Sequence, residues 1–170
     1  MKSFEDLVEV VARLRGEGGC PWDREQTHAT LKAPCIEEAA EVVCGINILD
    51  KTGNASNLME ELGDLLFQVV MHARIAEEEG LFTIDDVNRA ITEKMIRRHP
   101  HVFGETAVAG TEEVLQNWEE IKKIEKKGKL DDDLYIDEAF DESVGLIERA
   151  RQRKAEKRRK AASDEKRVTE

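Results

Sequence analysis

Two short runs carry most of the potential chemistry in this chain. Residues 37–41 read EEAAE and residues 60–64 read EELGD. Within them Glu38 and Glu41 stand three apart, as do Glu61 and Asp64. On an α-helix such residues lie side by side, so each pair is a like-charge pair costing ~0.2–0.5 kcal/mol. Acids on helices usually face water. Here the strip from Glu41 continues through Cys44 to Ile48, and the strip from Glu61 and Asp64 continues through Gln68 to Ile75. A face that turns apolar so soon is partly covered by protein, and covered carboxylates need partners.

The two runs are joined by the turn DKTGNAS, which predicts antiparallel packing of their helices. At ~1.5 Å rise per residue, both pairs stand roughly 10–15 Å from that turn. Four carboxylates converging there form a hard, oxygen-only site suited to Mg²⁺, with Mn²⁺ as the alternative. A di-iron site would require Glu-x-x-His, and His72 lies too far along its helix. Glu138 and Asp141 repeat the spacing but have no facing pair, so they read as a solvated face.

The elements that must position these acids follow from apolar spacing. Ser3 caps a first helix with Phe4, Leu7, Val8, Val11 and Leu14 on one face and a stop at Gly16. EGGCPWDREQTH reads as a loop. A second helix is expected from about Pro34 to Leu49, Pro34 occupying the first turn. A third runs from about Asn57 to Glu79, with Leu58, Leu62, Leu65, Leu66, Val69 and Ala73 as its apolar stripe and Gly80 as its stop. Thr83 caps a fourth that halts before Pro100; PHVFGETAVAG reads as a loop; a fifth spans Thr111 to Gly128. Beyond lie an acidic stretch and, from Leu146, a basic, weakly periodic segment expected to be a solvated helix fraying into a disordered tail.

The bulk composition agrees with helices. Of 170 residues 37% are charged, 5% aromatic and only three are proline. The net charge of −11 repels nucleic acid and anionic membranes, except at the basic segment from Arg149 to Arg167. An acidic protein that handles anions needs a cation as go-between. The apolar part of the N-terminus contains acids and does not read as a signal peptide. No apolar run approaches the ~20 residues of a membrane span. Cys20, Cys35 and Cys44 lack metal-ligand spacing and read as reduced thiols of a cytoplasmic protein.

EEAAE followed by ELGD resembles the EExxE…ExxD signature of the all-α nucleoside triphosphate pyrophosphohydrolases. With GGCPWDREQTH, HARIAEEEGLF and ITEKMIRRHPHVFG, the chain resembles the MazG family over roughly residues 4–127. Larger members carry a second copy of the domain, and no second pair of acid motifs exists here. The resemblance implies an all-α MazG-like bundle of four to five main helices over residues 1–128, completed by dimerisation. Residues 129–170 then form an acidic linker and a basic C-terminal helix or tail. It implies Mg²⁺-dependent hydrolysis of a nucleoside triphosphate to monophosphate and pyrophosphate, in a homodimer or dimer of dimers. Glu38, Glu41, Glu61 and Asp64 correspond to the metal ligands, and Glu37 to the leading glutamate with a supporting or water-orienting role.

Glu38 or Glu37 is expected to take the proton from water, and the sequence leaves both open. Lys94, Arg97, Arg98 and Lys122 are candidates to clamp phosphates, each with ordinary surface charge as the alternative. Trp22 either stacks on a base or plugs the fold. Trp118 reads as core, and His99 and His101 as a structural turn. The competing reading is a non-catalytic helical module that binds a structural ion or a partner.

Overall fold

The computed structural model describes residues 2–126 and 132–168, and among these every regular element is an α-helix. The fold is therefore all-α, as the spacing predicts. The domain boundary expected between residues 128 and 129, and the helix stop at Gly128, lie outside the described residues. The chain divides into two compact units, residues 1–75 with 137–170, and residues 76–136.

In the first unit, α1 (Phe4–Arg15) opens with a full capping box: Ser3 accepts from the Asp6 N–H and Asp6 accepts from the Ser3 N–H. The segment after it is not a plain loop. Pro21 opens a short helix, α2 (Pro21–Glu25), because proline at the first position forfeits no hydrogen bond. Arg15 joins the two by donating to the Asp23 and Gln26 carbonyls at 2.6 and 3.0 Å.

Helix α3 (Lys32–Thr52) begins earlier and ends later than expected. Pro34 sits within its first turn, where N–H groups have no intrahelical partner. Gly53, at φ +73°, ends it and donates to the Leu49 carbonyl. The chain then reverses through Asn54, whose side chain accepts from the Ser56 N–H at 2.9 Å, and enters α4 (Ser56–Glu78). Gly45 of α3 meets Leu58 of α4, and Glu38 meets Glu61 and Asp64. Moving back along α3 thus moves forward along α4, which makes the pair antiparallel. Val11, Leu31, Val70, Met71, Ala73 and Ile75 form the core of this unit. His28 and His72 stack in it with Nδ1 atoms 2.8 Å apart.

The apolar stripe expected on α4 divides. Ala73 is buried, but Leu62, Leu66 and Val69 are exposed. On the polar strip Glu61 and Gln68 are covered, at 9% and 6% exposed, while Asp64 is exposed.

In the second unit, Gly80 at φ +71° ends α4 and the Leu81 N–H returns to the Ala76 carbonyl. Thr83 and Asp86 form a second capping box at the start of α5 (Ile84–Arg98). Pro100 opens α6 (Pro100–Phe103), a turn of helix within the expected loop. Helix α7 (Thr111–Lys126) follows. Glu125 of α7 accepts from both Arg97 and Arg98 of α5, while the Arg98 guanidinium lies 5.3 Å over the half-buried Trp118 ring.

Helix α8 (Asp132–Val168) is continuous across the acidic stretch and into the basic segment. From residue 137 onward it belongs to the first unit.

Candidate metal centre

The α3–α4 hairpin brings three of the four expected ligands together. One carboxylate oxygen each from Glu38, Glu61 and Asp64 lie within 4.8 Å of one another. Helix α3 supplies the first and α4 the other two, from a pair three residues apart on one face. These three residues would hold a divalent ion between α3 and α4. The donor set is oxygen-only, which suits a hard divalent cation and disfavours softer metals. These residues therefore fit the group that the spacing anticipates.

The site is electrostatically uncomfortable without a cation. Burial, followed by the negative charges of Asp64, Glu41, Glu61 and Glu37, holds the Glu38 carboxyl above the usual glutamate range. Glu61 is steadied by Asn57 one turn before it, whose Nδ2 donates to Oε1 at 2.9 Å. The Asn57 Oδ1 is buried and has no partner among the described residues.

Two of the five acids have cationic partners from α8. Lys154 donates to Glu41 and Arg153 donates to Glu37. A third tie, Lys32 to Glu142 at 2.8 Å, joins the start of α3 to α8. Spacing in the sequence pairs these acids with a divalent cation and not with the bases of α8.

The expected substrate contacts are placed as follows. Trp22 stands on α2 and is 57% exposed. Lys94, on α5, is half-buried. Arg97 and Arg98 both spend their charge on Glu125 at 2.6 Å; Arg98 is the main cause holding that carboxyl below the ordinary range. Lys122 pairs with Glu119 one turn earlier at 3.0 Å. Trp22 belongs to the first unit with the acids, and the four basic residues belong to the second.

Residues 26–103 match the family described as MazG nucleotide pyrophosphohydrolase domain. Both acid runs fall inside that span, and α8 falls outside it. The chain is 48% identical over 126 residues to the nucleoside triphosphate pyrophosphohydrolase/pyrophosphatase MazG of Thermotoga maritima, covering 74% of this chain and 46% of that protein. It is 45% identical over 130 residues to the nucleoside triphosphate pyrophosphohydrolase of Escherichia coli, covering 76% and 48%. It is 50% identical over 123 residues to the uncharacterized protein YabN of Bacillus subtilis, covering 72% and 24%. The chain thus spans between about a quarter and half the length of these relatives.

Proposed function

We propose that this chain, whose residues 26–103 match the MazG nucleotide pyrophosphohydrolase domain, hydrolyses a nucleoside triphosphate to the monophosphate and pyrophosphate at its acidic centre. The observation that carries this reading is the convergence of Glu38, Glu61 and Asp64 on one point between α3 and α4. Bound there, Mg²⁺ would neutralise phosphate charge and draw the triphosphate to an otherwise repulsive surface. Mn²⁺ would serve with the same donors.

The chain's own residues do the rest. Glu38, Glu61 and Asp64 would hold the cation, with Glu41 the fourth expected ligand, here paired with Lys154. Water attacks the α-phosphorus in line with the leaving oxygen; the bond to the bridging oxygen breaks and pyrophosphate departs. The proton of that water would go to Glu38, since Glu37 is engaged by Arg153. Glu37, tied to Arg153, orients rather than accepts. Trp22, which shares a unit with the acids, is carried forward as a substrate contact. Arg97, Arg98 and Lys122 already have carboxylate partners and act structurally.

A homodimer belongs to the same reading. Val43 and Ile46 on α3, and Met59, Leu62, Leu66 and Val69 on α4, expose large apolar side chains at helical spacing. A monomer seldom leaves such stripes open. No described helix is long and apolar enough to cross a membrane.

Pyrophosphate release across a panel of ribo- and deoxyribonucleoside triphosphates, with and without Mg²⁺, tests the activity. Release that requires the cation, and falls at least ~10²-fold in Asp64→Asn, is the expected result. Full turnover in Asp64→Asn, or none in the wild type, would return the acids to the role of a non-catalytic binding module.

A further inference from the structure

Helix α8 lies outside the residues matched to the family, yet its Arg153 and Lys154 reach Glu37 and Glu41 of the acid run on α3. A cavity of about 340 Å³ opens between α3, α4 and α8, within the ~300–1,000 Å³ span of small-molecule sites. Its lining is mixed: Ile36, Ala40 and Ile48 of α3 with Ile147 and Ala150 of α8 are its apolar part, and Glu37, Glu41 and Glu61 with Arg151, Lys154 and Arg158 its charged part.

The three bases recur at spacings of three and four, so α8 presents them on one face. Ala150, only 9% exposed, anchors the helix just before them.

We propose that α8 is the phosphate-binding wall of the substrate pocket, with Lys154, Arg151 and Arg158 taking phosphate oxygens and the apolar part taking the nucleoside. The inference rests on the triphosphate reading above and adds contacts that the matched domain does not contain.

Three observations converge on it. The chain carries a net charge of −11, so a polyanion needs a local reversal of sign, and the α8 face supplies one at the carboxylates. Lys154 now serves as counter-ion to Glu41; a divalent ion held beside that carboxylate would neutralise it and free the ammonium for a phosphate oxygen. Asn57 lines the same cavity, and its buried Oδ1 has no partner among the described residues. It is an acceptor for a hydroxyl or amino group of the nucleoside.

The test measures binding without turnover. An α,β-imido nucleoside triphosphate with Mg²⁺ is titrated by calorimetry into the full chain, the Lys154→Gln variant and the Lys154→Ala/Arg158→Ala double variant. The dissociation constant should rise at least ~10-fold in the double variant. The loss should grow from nucleoside to monophosphate to triphosphate analogue, and Lys154→Arg should restore most of it. Mn²⁺ binding followed by spin resonance should be unchanged or tighter, since a competing cation is gone. Lys154→Gln, a single exchange on a half-exposed side chain, keeps the test decisive if the double variant fails to fold.

Equal analogue affinity in folded variants would overturn the proposal. So would tighter affinity, which would make α8 an occluding strap instead. A wild type that binds the analogue but releases no pyrophosphate would sink the hydrolase reading while leaving α8 its ligand. A wild type that binds no triphosphate analogue would sink the wall.

Discussion

Glu38 sits where a carboxylate is least comfortable, half-buried on α3 and facing Glu61 and Asp64 of α4. Because its folded-state proton affinity is raised above the ordinary value, the charged form costs the metal-free protein stability at neutral pH. That cost is present above the folded-state pKa and fades as pH falls toward the unfolded value. Exchanging the group for a neutral amide should therefore separate stability from function. Glu38→Gln should melt at a higher temperature than the wild type in chelator at pH 7, and should gain less on addition of Mg²⁺. Its pyrophosphate release should drop by roughly 10²–10⁴-fold, the scale of a lost proton acceptor. Thermal scans with and without Mg²⁺, set beside single-turnover rates, check both halves. A variant that melts lower than wild type without metal would mean that Glu38 is held by partners rather than strained by neighbours.

The carboxylates meet only because α3 and α4 approach closely, and Gly45 is where the approach is tightest. A Cβ there would meet Leu58 Cα at 2.8 Å and Leu58 N at 3.0 Å. Both atoms are backbone, so relief requires the helices to part. Gly45→Ala should destabilise by about 1–3 kcal/mol, the range for overpacking, in urea unfolding with an unchanged slope. It should also weaken turnover from a site it does not touch. Stability equal to wild type would show that the hairpin can widen without cost. The same scale explains what could be read in advance. The N-caps Ser3 and Thr83 were legible because each makes a local bond to a residue three positions on, although the reciprocal bonds from Asp6 and Asp86 were not foreseen. The acid pairs were legible for the same reason. The short helices at Pro21 and Pro100 were hidden because glycine and proline clusters mark loops and helix starts alike. Periodicity marked Leu62, Leu66 and Val69 as apolar, but it could not tell which face this chain covers itself. Nor could it show where the basic face of α8 lands. Lys154 reaches Glu41 across 113 residues of sequence and Arg153 reaches Glu37 across 116, and no local pattern encodes such a pairing.

For the molecule as a whole, the open apolar faces and the acidic charge pull in opposite directions. A net charge of −11 keeps chains apart, whereas Leu62, Leu66 and Val69 on α4 and Val43 and Ile46 on α3 lose free energy in water. Both stripes belong to the hairpin that carries the acids, so a second copy seated on them would brace the metal centre from behind. A two-fold pairing uses the same patch on each chain and needs no other surface. The wild type should therefore elute, by light scattering, at twice its 19.3 kDa chain mass, and more firmly so in higher salt as the repulsion is screened. Leu62→Glu/Leu66→Glu should elute at the chain mass, with a lower melting temperature and reduced turnover. Neither position belongs to the buried core of the single chain, and a loss of activity together with the fall to the chain mass would report the lost neighbour. A wild type that stays at 19.3 kDa at micromolar concentration, active and with its stripes open, would mean that each chain holds its carboxylates in register alone.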